Sequence, residues 1–267
     1  MLLLVDLDGV VYRGSEAVPG MPELLARRAA AGDMVIYVTN NSRWHRSEYQ
    51  ARLRSMGAPV TPERVVTAAR ATALALSEGP IRPRATMVFG GPGLARELRD
   101  VGLHTVAVTA RGLAEQPDAV AVGVDFSLSY RRLSLAADAV RAGARFVVTN
   151  RDPVYPMSDG LHAGAGSIVA ALAVASGREP DLVVGKPEPG LFIEAAAVAG
   201  IPVAQAVVIG DGLVTDIAAA RRVGARSVLM LTGVSTRAQV AALPAEQRPT
   251  RIAADAAELE RILDELR

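Results

Sequence analysis

The chain contains no cysteine. That excludes a disulfide framework, a thiolate zinc site and every mechanism built on a cysteine nucleophile. Aromatic residues make up only 4%, and 29 basic against 28 acidic side chains leave a formal charge of +1. A chain with few aromatic side chains for stacking and no basic field is poorly suited to holding a nucleic acid, so none is expected as a partner. Long hydrophobic runs are missing too: Leu2-Leu3-Leu4-Val5 is broken by Asp6, whereas a membrane span takes roughly 20 apolar residues. There is no basic leader with a cleavage site, so the expected location is cytoplasmic, with no membrane partner. Lysine is nearly absent, with 28 Arg and the single Lys186. Where arginine has replaced lysine almost everywhere, the one survivor marks a place that needs a compact ammonium. What remains is an ordinary globular composition of 267 residues, half hydrophobic and 21% charged, enough for one large or two modest domains.

Short apolar runs alternate with helical patterns along the chain. Residues 2 to 7 read as a buried parallel strand, Pro19 to Ala31 as a helix with Pro22 in its first turn and Gly32 beyond its end, and residues 34 to 40 as a second strand. This is a βαβ unit. Helices are expected at 46–56 and 67–78, followed by a linker at Gly79-Pro80-Ile81-Arg82-Pro83. A second α/β series runs through strands at 86–90, 104–108, 119–123 and 145–150, with helices at 93–101 and 134–142 between them. A turn-rich loop at 151–166 leads into an alanine-rich helix ending at Gly177. From Asp181 the rhythm resumes with LVVG, a helix at 189–198, AVVIG, a helix at 215–223, SVLML and a final amphipathic helix at 255–266. The expected fold is α/β, a Rossmann-like parallel sheet flanked by helices, with core residues 1–80 and 181–267 and an inserted α/β module at 81–180.

Sites in such sheets lie beyond the carboxyl ends of the strands. Four strand ends there carry chemistry: Asp6 and Asp8 in DLDGV, Thr39-Asn40-Asn41-Ser42, Gly185-Lys186-Pro187, and Gly210-Asp211-Gly212 with Asp216. Two carboxylates two residues apart at a strand end project to the same side, and Asp211 brings a third. Like charges so close need a cation. Oxygen ligands without cysteine favour Mg²⁺, which would also let a phosphate dianion approach an aspartate. Lys186 and the Thr39 hydroxyl then supply donors for phosphate oxygens, with main-chain N–H groups near Asp8 and Asn40. In such a site Asp6 is the nucleophile, forming an aspartyl-phosphate, while Asp8 protonates the leaving group and later serves as base.

The set DxDGV, VTNNS, GKP and GDxxxTDI, in this order, resembles the four motifs of the haloacid dehalogenase (HAD) superfamily of phosphohydrolases, and its details resemble the NagD-like branch with its p-nitrophenyl, sugar and nucleotide phosphatases. The likeness covers about residues 2 to 235. The resemblance implies a Mg²⁺-dependent phosphatase acting on a small phosphorylated metabolite. Metal would be held by the Asp6 and Asp211 carboxylates and the Asp8 main-chain carbonyl, with Asp216 supporting that site, and Thr39, Asn40 and Lys186 would bind phosphate. It also implies a cap at the second insertion point, since 144 positions separate Asn41 from Lys186 (186 − 41 − 1). In that branch the cap loop meets the leaving group, making Asp152, Pro153 and Tyr155 substrate-facing candidates. Pyridoxal-phosphate phosphatases tend to carry histidine where this chain has Tyr155.

Other readings fare less well. Gly164-Ala165-Gly166 imitates a dinucleotide fingerprint but follows a loop, not a strand, and Gly90-Gly91-Pro92-Gly93 lacks the Gly-Lys-Ser/Thr of a phosphate loop. His45, His104 and His162 are scattered, and no G-x-S-x-G elbow supports a serine hydrolase. A noncatalytic phosphometabolite binder would show a lost nucleophile or acid, and a phosphotransferase would differ in its acceptor. The oligomeric state is left open.

Overall fold

The computed structural model describes residues 1–157 and 160–267. Ser158 and Asp159, part of the loop expected at 151–166, lie outside the described residues. The chain forms two compact units, one of Met1–Thr39, Ser47–Val66 and Lys186–Arg267, the other of Asn40–Arg46 and Thr67–Gly185. These units part at different places from the boundaries at 80/81 and 180/181 expected from composition. Helix Ala68–Ser77 packs on helix Pro92–Asp100, and the short strand Leu182–Val183 pairs with Arg145–Val148, so both belong with the second unit.

The first unit is built on a six-stranded sheet in the order Arg251–Ala253, Arg226–Met230, Ala206–Gly210, Leu2–Asp6, Met34–Thr39, Val65–Thr67. Leu2–Asp6 lies in parallel between Ala206–Gly210 and Met34–Thr39. Strands later in the chain add on one side of it and the following strands on the other, so the order reverses beside the first strand. Such a switch point opens a crevice at the carboxyl ends of the strands. Leu3, Val5, Val35, Tyr37, Val207 and Ile209 are completely buried, each burial stabilising the unit by roughly 1.5–3 kcal/mol. That packing holds the strand ends at fixed height.

The second unit has a five-stranded parallel sheet in the order Leu182–Val183, Arg145–Val148, Ala119–Val122, Thr86–Phe89, Thr105–Ala107. Its core joins Met87, Phe89, Val120, Val122, Phe146 and Val148 to helices Tyr130–Arg141 and Ala165–Ser176. The stretch expected as a turn-rich loop contains an antiparallel hairpin, Val154–Met157 paired with Gly160–Ala163. With Pro156 inside it and turn residues throughout, local chemistry favours a loop, and cross-strand pairing overrides it. Among the described residues, no helix is long and apolar enough to cross a membrane.

Candidate active site

The sheet register sets out the site. Val5 pairs with Ile209 and Asp6 with Val38, so Asp6, Gly210-Asp211 and Thr39 leave three adjacent strands side by side. Lys186 comes to the same place. Its ammonium donates to Asp6 Oδ1 and, at 2.7 Å, to Asp216 Oδ1. Asp6, Asp211 and Asp216 are all buried, and each offers an oxygen within 4.8 Å of the others. Thr39 is buried as well. The sole lysine of the chain thus serves two carboxylates separated by 210 positions (216 − 6).

Charge in this cluster is unbalanced. Three buried carboxylates face one ammonium. Burial raises the Asp6 pKa well above its ordinary value; Lys186 pulls it down, and Asp216 and Asp211 push it further up. Burial, followed by repulsion from Asp216, pushes Asp211 up to about 6, against the Val234 N–H and Lys186. For Lys186 burial works against the charge, but Asp216 and Asp6 outweigh it and raise the pKa. Buried acids at elevated pKa are the state that a divalent cation relieves, and carboxylate oxygens suit a hard ion.

Asp8 stands apart. It is exposed, and its carboxylate has no hydrogen-bond partner among the described residues. Protein packed around that carboxyl still raises its pKa, opposed by Arg52 and then Lys186. An acid kept closer to its neutral form, facing solvent, suits proton transfer. The turn after it is tight: Gly9 N donates to Tyr12 O at 2.8 Å. Gly9 has φ +77°, and a Cβ there would lie 2.3 Å from Asp211 Oδ2. Only glycine allows that approach.

Asp216 sits in the π-helical turn Leu213–Ile217. Its Oδ2 accepts from Gly212 N at 3.1 Å and Thr215 Oγ1 at 3.2 Å while Oδ1 holds Lys186. Its visible work is to fix the lysine. A fifth strand end, missed in the sequence, completes the site. After Arg226–Met230, Thr232 Oγ1 donates to Gly9 O at 2.6 Å, Val234 N donates to Asp211 Oδ2 at 2.8 Å, and Ser235 Oγ accepts from Leu213 N at 3.2 Å. Thr232-Gly233-Val234-Ser235 follows an apolar run, so the rule that found the other four ends points here also. Arg52, whose guanidinium lies 3.6 Å from the Tyr12 ring centroid, carries no such signal.

The remaining candidates lie in the second unit. Asn40 donates through Nδ2 to both carboxylate oxygens of Asp152, at 3.0 and 3.2 Å, and its carbonyl accepts from Asn150 Nδ2 at 2.7 Å. The Asn40 amide is therefore engaged by Asp152. Tyr155 OH accepts from Asn41 Nδ2 at 3.0 Å. Pro153 is exposed, and its carbonyl accepts from Gly164 N at 2.9 Å and Ser167 Oγ at 3.4 Å. The Gly90–Gly93 stretch makes room for a backbone rather than for a phosphate: a Cβ on Gly93 would lie 2.3 Å from the Trp44 carbonyl carbon.

Residues 3–104 match the haloacid dehalogenase-like hydrolase family model, and residues 183–259 match a second HAD-like model. Human chronophin is 41% identical over 242 residues, covering 87% of this chain and 81% of its own. The structure of p-nitrophenyl phosphatase from Archaeoglobus fulgidus superposes with a TM-score of 0.89 at 30% identity, covering 98% of both chains. That of the Mycobacterium tuberculosis glycerol phosphate phosphatase in complex with magnesium gives 0.87 at 37% identity, over 97% of this chain and 75% of that one. The chain belongs to the haloacid dehalogenase-like hydrolases. Within them it falls in the branch of the NagD-like and p-nitrophenyl phosphatases.

Proposed function

We propose that this protein is a Mg²⁺-dependent phosphatase that hydrolyses small phosphorylated metabolites through an aspartyl-phosphate on Asp6. One observation carries the reading: the only lysine of the chain is buried between Asp6 and Asp216, with Asp211 beside them. The Asp6 and Asp211 carboxylates and the Asp8 main-chain carbonyl would hold the cation. When bound, it supplies positive charge that offsets both the carboxylates and the incoming phosphate.

The protein groups do the rest. An Asp6 carboxylate oxygen attacks phosphorus, and the bond from phosphorus to the leaving oxygen breaks. Lys186, steadied by Asp216, and the Thr39 hydroxyl donate to the phosphoryl oxygens, as does the main-chain N–H of Asn40. Asp8 gives its proton to the departing alkoxide. In the second half Asp8 takes a proton from water as that water attacks phosphorus, and the bond to Asp6 is broken. The second unit, centred on residues 81–180, acts as the cap that sets substrate choice, with Asp152, Pro153 and Tyr155 near the leaving group.

The relatives' named substrates define the test. Release of inorganic phosphate is measured from p-nitrophenyl phosphate, glycerol phosphate, sugar phosphates and nucleoside monophosphates with Mg²⁺ present. Turnover of at least one, lost in Asp6→Asn, is expected. Binding without release of phosphate from any of them would overturn the enzymatic reading in favour of a noncatalytic binder.

A further inference from the structure

We propose that Arg43 is a specificity-determining residue, selecting phosphomonoesters whose alcohol portion carries a carboxylate. The inference rests on the phosphatase reading and narrows its substrate class. Arg43 follows Asn40 by three residues, which keeps its Cα within about 11 Å of the Asn40 Cα. Its backbone is pinned on both sides: its N–H donates to Asn41 Oδ1 at 3.0 Å, and its carbonyl accepts from Gly93 N at 3.0 Å. A Cβ on Gly93 would lie 2.5 Å from that carbonyl, so the close approach depends on glycine.

The side chain is held as firmly. The guanidinium carbon lies 4.6 Å from the Trp44 ring centroid and 4.4 Å from that of Phe126. Trp44 is 41% exposed and Phe126 51%; these rings brace a cation instead of filling a core. Phe126 is steadied in turn by an edge contact with Tyr155 at 5.6 Å, and Tyr155 is bonded to Asn41. The loop carrying Phe126 is tied down by Asp125, which accepts from Ser127 and pairs with Arg132 at 2.7 Å. The chain of contacts therefore closes on the residue next to the phosphate-binding Asn40.

Arg28, Arg46 and Arg132 all have carboxylate partners. Among the described residues Arg43 has none. Contact with the rings does not use up the in-plane N–H donors of a guanidinium, and that planar fork accepts a planar oxyanion in bidentate fashion. A carboxylate fits that fork. A hydroxymethyl group in its place offers no charge and at most single hydrogen bonds.

The matched pair 3-phosphoglycerate and glycerol 3-phosphate, which differ only in carboxylate against hydroxymethyl, tests this. The readout is the ratio of kcat/KM for the two. The wild-type ratio is expected to favour 3-phosphoglycerate, and Arg43→Gln to lower it by on the order of 10- to 100-fold. Arg43→Lys, which keeps charge but not the fork, is expected in between. A change of less than about threefold in both variants, with circular dichroism showing them folded, would overturn the assignment. Should the wild type release phosphate from neither compound nor from p-nitrophenyl phosphate, the phosphatase reading fails instead. Calorimetric binding of the same pair then still decides whether Arg43 reads the carboxylate.

Discussion

Two clusters of ligand-type side chains look alike by distance and differ in charge. In the first unit Asp6, Asp211 and Asp216 offer oxygens within 4.8 Å of one another; in the second, His45, Glu97 and Asp100 offer ligand atoms at the same spacing. Around Glu97, however, every charge is answered. Arg46 donates to it through both backbone and guanidinium, Arg70 lies 3.8 Å away, and His45 Nε2 sits 2.9 Å from Asp100 and 3.3 Å from Glu97. Two carboxylates meet two guanidiniums there. At the strand ends three carboxylates meet one ammonium. The balanced group fastens segment 40–46 to helix Pro92–Asp100, whereas the unbalanced one leaves negative charge that an added cation would offset. Proximity of acids locates both, and charge bookkeeping separates them.

Substitutions can break this contrast. Asp6→Asn should reduce turnover of p-nitrophenyl phosphate by at least roughly 10⁴-fold, as loss of a nucleophile does, with far-ultraviolet circular dichroism unchanged; residual activity near wild type would remove Asp6 from the chemistry. Chelation should stop turnover and added Mg²⁺ restore it, and activity that persists after exhaustive dialysis against chelator would count against a metal site. Glu97→Gln should leave the acid-base chemistry in place and lower stability by about 3 kcal/mol, since two guanidiniums lose their counter-charge; denaturant titration reads this. The opposite sign is expected at the unbalanced site. Asp211→Asn should stabilise the metal-free protein by about 1 kcal/mol by relieving repulsion, so a lower Tm without metal would contradict the proposed imbalance.

The smallest effect concerns pH. Burial favours the neutral form of Asp100, yet the bond to His45 and the charge of Arg46 prevail and hold its carboxyl below the ordinary range. A depressed folded-state pKa contributes stability above the unfolded value of about 3.9 that is lost as pH falls through the folded value. The difference in urea midpoint between wild type and Asp100→Asn should therefore shrink steadily below about pH 4. A constant gap down to pH 2 would assign the effect to packing.

Much of the molecule was legible because local signals and tertiary roles coincide. Leu2–Asp6, Met34–Thr39 and Ala206–Gly210 are continuous apolar runs since both their faces are covered, and such runs end abruptly where the chain reaches solvent or a site. Four of the five strand ends with chemistry stood out for that reason. The hairpin at 154–163 did not, because its pairing lies across strands, and the two-residue strand Leu182–Val183 looked like part of the first sheet although it edges the second. Helix Tyr130–Arg141 begins a turn earlier than its apolar pattern suggests, at a Ser129 cap that accepts from Arg132 N. Glu97, wholly buried, is a charge on an apolar helix face whose partners lie 51 and 27 positions away at Arg46 and Arg70 (97 − 46 and 97 − 70).

By itself the order of residues determined the α/β alternation, the punctuation of the helices and the identity of the acids, the hydroxyl and the one ammonium at the strand ends, because periodicity and turn chemistry act over a few neighbouring positions. Only the folded chain decided which groups are partnered and which charge is left over: Lys186 is shared by Asp6 and Asp216, Asn40 is engaged by Asp152, and Arg43 is braced by rings with no carboxylate partner among the described residues. Electrostatic energy depends on separation in space and on burial, and neither quantity is carried by distance along the chain.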